Sequence, residues 1–301
     1  MRIVFAGTPA NAAQALRLIS QQHQVALVLT REDAPVGRKR VMTQSAVALV
    51  AQELGLKVHK ANRISTTELA ALQAAEAELG VVVAYGCIMP QDALDIFPWW
   101  NMHFSLLPKW RGATPLQRSI ASGGDGAGVT IFELDKGMDT GPIISQRSLE
   151  IRPSESTLSA LPRFTSFGTE LLLDAMQIRP EPIAQYGDPS FAPKISRADA
   201  RLDFNTPAQV LANLIAALNP EPMAWAELAG SPIRIIEAVS SSDEETLAQG
   251  LLPGQITELA KRVIVGCGQG VLELISVQPA GKNQMRAADW QRGLNEGAAF
   301  D

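Results

Sequence analysis

The first half of the chain alternates short apolar runs with amphipathic stretches, and this alternation limits the fold more than any other feature. Residues 79–84 form the most apolar run, with three consecutive valines, which is typical of a central strand in a parallel sheet. Residues 2–6 and 25–30 predict two more strands. Apolar residues at helical spacing and suitable cap residues predict helices over 10–20, 43–54 and 65–77. Alternating strands and helices predict a doubly wound α/β sheet.

A second regime begins near residue 186. Residues 186–205 show no clear period and contain Pro189 and Pro193, which predicts a linker. A helix over 207–218 follows, and then come five short β-like runs separated by Gly, Pro and Ser: residues 223–228, 232–239, 254–258, 263–267 and 271–277. Short strands at this spacing predict a small all-β barrel. We therefore expect an α/β domain over 1–185, a linker over 186–205 and a β-rich domain over 206–301.

Composition and charge exclude several classes of protein. Hydrophobic residues make up 46% of the 301 residues and charged residues 19%, so the chain can bury a core and is not disordered. No apolar run reaches the ~18–20 residues that span a bilayer, and the N-terminal run is too short for a signal peptide, so we expect a cytoplasmic protein without membrane contact. Residues 206–301, with six Lys and Arg against eleven Asp and Glu, hold the whole net charge of -5. Taken alone, that excess argues against a polyanionic partner there.

The densest polar cluster, NMHFSLLPKWRGATPLQ, covers residues 101–117 and follows two tryptophans that read as the end of a buried strand. Asn101 and His103 are two apart, so on an extended chain their side chains point to the same side. An amide and an imidazole aimed at one point can stabilise a developing oxyanion. The residues alone leave an alternative open, in which Asn101 is a turn residue and His103 a hydrogen-bonded core histidine.

Two further clusters carry charge. Residues 134–141 form a glycine-rich loop after an apolar strand, and if its Asp139 lies beside His103 it would raise the pKa of the imidazole and hold its orientation. The alternative is a hairpin turn with solvated acids. Basic residues at 38–40 and around Trp110 suit contact with a nucleic-acid end by phosphate binding and stacking, and the alternative there is a solvated loop.

Several motifs are missing from the sequence. It has no Cys or His spacing typical of a metal site, so we expect no metal. It lacks the G-x-G-x-x-G and GxxxxGK[ST] patterns, which weakens a nicotinamide enzyme and an NTPase. It also lacks a GxSxG elbow, which disfavours a serine hydrolase.

Six separated motifs, in order, resemble those of the methionyl-tRNA formyltransferases over essentially the full length of the chain. They are RIVFAGTP at 2–9, VVAYG at 82–86, the cluster at 101–117, DKGMDTG at 135–141, LNP with PMAW at 218–225, and QPAGK at 278–282. The resemblance implies a Rossmann-like formyltransferase domain followed by an OB-like, tRNA-binding barrel. It also implies formyl transfer from 10-formyltetrahydrofolate to methionyl initiator tRNA, for translation initiation.

The resemblance also assigns residues. The catalytic trio falls on Asn101, His103 and Asp139, and the tetrahydrofolate motif falls on Ser105, Leu106, Leu107 and Pro108. If the partner is tRNA, its contacts must rest on local cations, which are Arg38, Lys39, Arg40, Lys109, Arg111, Lys282 and Arg286. We expect Asn101 and a protonated His103 to donate to the oxyanion, and Asp139 to keep His103 charged. We expect the protein to be a monomer.

The match has departures from the family pattern. Phe104 stands where the family has Gly, Ala10 and Asn11 replace an acidic–aromatic pair, and Pro142 stands where an Asp commonly follows. Alternatives therefore stay open. A sugar-nucleotide N-formyltransferase would share the N-terminal motifs and would not need the basic loop. A glycinamide ribonucleotide transformylase should lack the second domain, and a non-catalytic OB-fold RNA-binding protein would bind no folate.

Overall fold

The computed structural model describes residues 1–37, 39–241, 243–247, 249–295 and 297–301. The chain divides into two compact units. The first comprises Met1–Pro115, Gly126–Leu149 and Leu161–Phe191, and the second comprises Leu116–Asp125, Glu150–Ala160 and Ala192–Asp301. Each has its own buried apolar core.

The elements up to residue 192 alternate strands and helices. The strands are β1 (Arg2–Gly7), β2 (Gln24–Thr30), β3 (Ala34–Val36), β4 (Val41–Thr43), β5 (Val58–Lys60), β6 (Leu79–Val83), β7 (Trp99–His103), β8 (Arg111–Gly112), β9 (Gly128–Glu133), β10 (Ile143–Ser148) and β11 (Phe191–Ala192). The helices are α1 (Ala10–Ile19), α2 (Ala46–Glu53), α3 (Thr66–Ala74), α4 (Gln91–Leu94), α5 (Pro115–Ala121) and α6 (Thr157–Ile178).

The main sheet of the first unit has the strand order β10-β9-β7-β6-β1-β2-β5. Strands β5, β2, β1, β6 and β7 run parallel, and β6 lies at the centre, so the predicted α/β sheet with this central strand is confirmed. Strands β9 and β10 add an antiparallel edge beyond β7. From β1 the chain continues to β2 and β5 on one side of β1. It then crosses to the other side of β1, where it forms β6. In such sheets, ligands bind in the crevice outside the carboxyl ends of the strands where the order reverses.

Strand β7 is held against β6 by a close contact. A Cβ on Gly80 would lie 2.1 Å from the Trp99 ring, so only glycine fits below this indole. The Trp99 Nε1–H donates to the Ala93 carbonyl at 2.9 Å. The tryptophans therefore begin β7 instead of ending a strand, which corrects the sequence-based expectation. Backbone pairing with β9 continues to His103, so Asn101 and His103 both lie within the strand.

Helix α2 starts later than predicted. Residues 41–43 pair with residues 34–36 in a hairpin instead of extending the helix. The Ser45 side chain then accepts from the Ala48 N–H at 3.0 Å, which caps the helix at its observed start. The hairpin presents Gly37, Lys39 and Arg40 at its turn.

The longest segment of the second unit, Ala192–Asp301, begins with a 3₁₀ helix (Ala198–Ala200) and α7 (Ala208–Leu218). Its strands are β12 (Ala224–Leu228), β13 (Ser231–Ser241), β14 (Ile256–Leu259), β15 (Arg262–Gly266), β16 (Val271–Pro279) and β17 (Met285–Arg286), and its remaining helices are α8 (Glu244–Leu247) and α9 (Ala287–Gln291). The antiparallel sheet has the order β12-β13-β16-β15-β14, with β17 on β16, which confirms the predicted β-rich domain.

The C-terminal segment closes this sheet. Phe300 bridges Leu228 at the end of β12, and Ala299 bridges Gln255 just before β14. The two edge strands of the path are therefore joined through the last residues of the chain, which gives the sheet the closure of a barrel. The Phe300 ring stacks on Phe204 at 5.0 Å between centroids.

Part of the predicted linker is packed. Ala200, Leu202 and Phe204 are buried in the core of the second unit, so this stretch is not an unstructured tether. The exact domain bounds over 1–185 and 206–301 stay a prediction. None of the helices formed by the described residues is long and apolar enough to cross a membrane.

Candidate active site

A cavity of about 600 Å³ opens at the carboxyl ends of β6 and β7. Its walls come from Val82 and the turn after β6, from residues 101–104, from Gly112 and Ala113, and from the loop at 134–139. This is the position that the strand order predicts for a ligand.

The three residues predicted as a catalytic trio line this one cavity. Asn101 and His103 occupy alternate positions of β7, and Asp139 comes from the loop after β9. His103 is 4% exposed, and its Nδ1 lies 3.7 Å from Oδ2 of Asp139. That separation is an ion-pair distance and is too long for a direct hydrogen bond.

The other ring nitrogen of His103 fixes the proton arrangement. Nε2 lies 2.9 Å from the Trp110 carbonyl oxygen. A carbonyl only accepts, so Nε2 carries a proton in both the neutral and the charged imidazole. Nδ1 is therefore the nitrogen that gains or loses a proton, and it is the nitrogen that faces Asp139.

Burial lowers the pKa of His103, and this outweighs the opposing effects of the Asp139 carboxylate and the Trp110 carbonyl, which raise it. Asp139 thus acts in the predicted direction. The expectation that Asp139 keeps His103 charged is nevertheless not met, because desolvation of the enclosed imidazolium is the larger effect. The lowered pKa favours the neutral imidazole, with a lone pair on Nδ1.

Asp139 is held by backbone as well as by its charge partner. The Gly112 N–H donates to Asp139 Oδ2 at 2.7 Å. Asp139 itself has a φ of 54°, in the left-handed region that few residues other than glycine adopt. Farther along the loop, a Cβ on Gly141 would lie 1.7 Å from the Glu133 carbonyl oxygen, so only glycine permits this close turn.

Comparisons with known proteins identify the family of the chain. A family model described as "Formyl transferase" matches residues 1–176, and one described as "Formyl transferase, C-terminal domain" matches residues 194–295. The methionyl-tRNA formyltransferase of Renibacterium salmoninarum is 41% identical over 301 residues, covering 98% of this chain and 97% of its own. That of Paenarthrobacter aurescens is 43% identical over 303 residues, covering 98% and 97%. The chain belongs to the methionyl-tRNA formyltransferase family.

A solved structure supports the fold. HypX from Aquifex aeolicus in complex with tetrahydrofolic acid matches with a TM-score of 0.66 at 18% identity, covering 97% of this chain and 47% of HypX. An identity this low bears on the fold alone. Among the described residues no group of three or more His, Cys, Asp or Glu side chains is placed to hold a metal ion.

The residues that correspond to the folate motif of the methionyl-tRNA formyltransferases have packing roles. Ser105 is buried and its hydroxyl donates to the Lys109 carbonyl at 2.7 Å. The Leu107 N–H donates to the Thr130 hydroxyl at 3.1 Å. Ser105, Leu106, Leu107 and Pro108 are not among the described residues that line the cavity, whereas the preceding Phe104 is. Their contact with folate stays a prediction.

The cations predicted to contact tRNA are spread over both units. In the first, Lys39 and Arg40 are exposed at the turn between β3 and β4, and Arg38 lies outside the described residues. Lys109 is exposed just after the folate motif. Arg111 is half-buried, and its Nε and Nη2 donate to Oε1 of Gln185 at 3.1 and 2.6 Å.

In the second unit, Lys282 and Arg286 are both exposed. Arg286 donates to both carboxylate oxygens of Asp289, at 2.8 and 3.1 Å. One of the predicted cations in this unit therefore already has an anionic partner. All seven stay predictions as tRNA contacts.

Sequence reasoning missed two parts of the site. The turn after β6 and the 134–139 loop bring apolar side chains to the cavity, among them Ile88 and Met138, which are exposed. The apolar character of these residues gave a weak signal. Gln185, which bonds to the Asp139 loop, carried no signal because nothing in its local pattern marks it.

Proposed function

We propose that this protein transfers the formyl group of 10-formyltetrahydrofolate to the α-amino group of methionyl initiator tRNA, for translation initiation. Formyl transfer to methionyl-tRNA follows from family membership, whereas the donor, the preference for initiator tRNA and the residue roles are the proposal. The observation that carries it is that Asn101, His103 and Asp139, from two separate motifs, share one cavity. We infer that the protein acts without a metal.

The cavity suits a flat, partly polar donor. It has a volume of about 600 Å³, apolar walls from the turn after β6, and a few polar groups gathered at the end of β7. Small-molecule sites typically combine mostly apolar walls with a few well-placed polar groups. Folate carries the one-carbon unit, and the residues of the chain supply position and electrostatics.

The reaction needs a nucleophile, a site for an oxyanion and a path for one proton. The neutral α-amino nitrogen attacks the formyl carbon, so that a C–N bond forms and the carbonyl oxygen gains negative charge. The Asn101 amide donates to that oxygen; losing one such donor typically costs about 10²–10³ in rate. The bond from the formyl carbon to folate N10 then breaks, and the proton lost by the amine ends on N10.

His103 is the group suited to carry that proton. Its Nε2–H is anchored on the Trp110 carbonyl, so Nδ1 can accept the proton of the attacking amine and release it to N10. Asp139, 3.7 Å away, stabilises the imidazolium that forms in between. A lowered pKa suits this role, because the resting imidazole must be neutral to act as a base.

The experiment is formylation of charged tRNA by Asn101→Ala, His103→Ala and Asp139→Ala. Each should fold and lose at least about 100-fold in kcat/KM, because each removes a donor, a base or its charge partner. His23→Ala is the matched control and should keep near-normal turnover, since the His23 ring lies 3.4 Å from the N-terminal amine and does not line the cavity. Near-normal turnover in any folded variant of the trio would remove that residue from the mechanism.

The acceptor needs its own assay. Formylation of initiator methionyl-tRNA, elongator methionyl-tRNA and an aminosugar nucleotide should be compared with the same donor. We expect activity on the initiator to exceed that on the elongator, and none on the sugar nucleotide. Faster formylation of the sugar nucleotide would overturn the proposed acceptor.

A further inference from the structure

The segment at residues 183–190, here called the strap, is mostly exposed, but Gln185 and Ser190 are half-buried. Every residue from Glu181 to Ser190 is exposed except Gln185 and Ser190. The strap is tied at its start by paired backbone bonds between Ile183 and Ile143 of β10, at 2.7 and 2.8 Å. At its end, Ser190 accepts from the N–H groups of Trp110 and Arg111, through its hydroxyl and its carbonyl, both at 2.9 Å.

Gln185 lies in the middle of the strap, and both the nitrogen and the oxygen of its side-chain amide form hydrogen bonds. Its Nε2 donates to the carbonyl oxygens of Asp139 and Gly141, at 2.9 and 2.8 Å. Its Oε1 accepts from Nε and Nη2 of Arg111. A single side chain thus joins the loop that carries Asp139 to the segment 110–112.

The two neighbours of Arg111 in sequence, Trp110 and Gly112, hold His103 and Asp139 in place. The carbonyl of Trp110 fixes His103 through Nε2, and the N–H of Gly112 fixes the Asp139 carboxylate. Gln185 therefore bonds to the backbone of the Asp139 loop and, through the Arg111 side chain, to segment 110–112. These two segments set the distance between His103 and Asp139. It does not line the cavity described above.

The two segments that Gln185 connects contain strained backbone, which the hydrogen bonds around it stabilise. Trp110 and Asp139 have φ values of 61° and 54°, in the left-handed region. A non-glycine residue held there costs on the order of 1 kcal/mol and persists only where the surroundings fix it. Gln185 donates to the Asp139 carbonyl, and the Ser190 hydroxyl accepts from the Trp110 N–H, so both residues are held by hydrogen bonds.

We propose that Gln185 is a positioning residue for the His103–Asp139 pair. Its amide, oriented by the hydrogen bonds from Arg111, holds the Asp139 loop next to segment 110–112 and so sets the geometry of the pair. This inference rests on the proposed catalytic roles of His103 and Asp139. In this proposal the Arg111 guanidinium has a structural role, which is to orient the Gln185 amide. Binding of tRNA by Arg111 would be a second role.

The test uses the pKa of His103 to report how close the Asp139 carboxylate lies to the imidazole. Three influences act on that pKa: burial, the Asp139 carboxylate, which is the charge that faces the ring, and the Trp110 carbonyl. Gln185→Met keeps the size of the side chain and adds no charge, but it removes both its donor and its acceptor. Release of the loop lets Asp139 move away from Nδ1, so the pKa of His103 should fall by at least about 0.5 unit.

The measurement is an NMR titration of the imidazole without substrate. The chain has three histidines, so the signal of His103 is assigned by its loss in His103→Gln. In parallel, kcat should fall about 10- to 100-fold while KM for both substrates stays within about twofold, since a displacement of ~1 Å can cost that much. Gln14→Met is the matched control, because Gln14 Nε2 also makes two bonds, to Pro162 and Ser166, away from the cavity.

A second variant keeps the inference testable if Gln185→Met does not fold. Arg111→Met should lower the pKa of His103 in the same direction, and in the double variant the two shifts should not add, because both act through one amide. Unchanged pKa and kcat in either folded variant would overturn the inference. If the titration shifts as expected but the parent protein formylates no tRNA, the proposed function fails and the positioning role stands.

Discussion

His103 stands between two opposing effects, and their balance decides its role. Enclosure lowers the pKa of the ring, and the Asp139 carboxylate raises it. The charged form is therefore costly at rest but becomes accessible when the attacking amine delivers a proton. Asp139 thus matters most after proton uptake, because the neutral ring has no charge for it to stabilise.

This balance predicts a pH effect of Asp139→Asn. The carboxylate raises the pKa of His103, so its loss should lower that pKa further. The attacking amine and the base must both be neutral, so wild-type kcat should fall as the amine is protonated and fall more steeply as the pH drops through the pKa of His103. In Asp139→Asn this steeper acid limb of the kcat profile should move to lower pH, and the plateau should fall at least about 100-fold. An acid limb that moves to higher pH would contradict the assigned sign.

Single residues also show where sequence reasoning stops. Asn101, His103 and Asp139 lie in motifs with unusual polar content, so a pattern exists to be found. Gln185 lies in an exposed stretch with no period, and its importance comes from contacts with residues 44 and more positions away in sequence. The state of His103 also escaped prediction, because burial is a tertiary property that no spacing encodes.

Among the elements, β6 and β7 are the pair that places the site, and Gly80 sets their spacing. Gly80→Ala would put a methyl group 2.1 Å from the Trp99 ring and push β7, with Asn101 and His103, away from β6. Overpacking of this kind costs about 1–3 kcal/mol. We expect a loss of about 2 kcal/mol in urea unfolding, together with lower activity.

Gly293→Ala is the control for the substitution at Gly80. Its nearest neighbour would be the Trp290 carbonyl oxygen at 3.6 Å, an ordinary contact. It should change the free energy of unfolding by no more than about 0.5 kcal/mol. Equal effects of the two substitutions would show that the contact with Trp99 is not what limits position 80.

The C-terminal segment makes a second element-scale prediction. Phe300 is buried, stacks between Phe204 and Trp290, and lies in the segment that joins β12 to β14. Phe300→Ala should destabilise the second unit by about 3–5 kcal/mol, as buried Phe truncations do. Hydrogen exchange should show lost protection in β12 and β14. Phe191→Ala, at a side chain 59% exposed, should leave that protection unchanged.

Elements with a strong local pattern were predictable, and those defined by pairing were not. Strands β1, β2 and β6 and helix α1 follow from apolar runs and helical spacing. Helix α6, with Pro162 inside it, was not predicted, nor was the antiparallel pairing of β9 with β7. The hairpin of β3 and β4 displaced the expected start of α2 because pairing partners lie outside any local window.

At the scale of the whole molecule, the charge is divided unevenly. Residues 206–301 hold the full -5, so a tRNA partner must meet local cations instead of a basic surface. Among the predicted contacts, Arg111 is already engaged by Gln185 and Arg286 by Asp289. Either cation would have to exchange a protein partner for a phosphate, which lowers what each can add to binding.

This distribution predicts a shallow salt dependence for tRNA binding. Each neutralised phosphate contributes about -0.9 to the slope of log K against log salt, so seven contacts would give about -6, and each cation that keeps its protein partner would reduce the magnitude by about 0.9. We expect a magnitude below about 6, measured by filter binding between 50 and 200 mM salt, a range in which a protein that makes 6–10 phosphate contacts loses about 10³–10⁵ in affinity. Lys39→Ala should reduce the magnitude by about 1. Lys57→Ala, at an exposed lysine outside the predicted contact set, should leave it unchanged.

A slope near -10 would mean that phosphates meet many cations beyond these seven, and that the neutral first unit has a basic face that its net charge conceals.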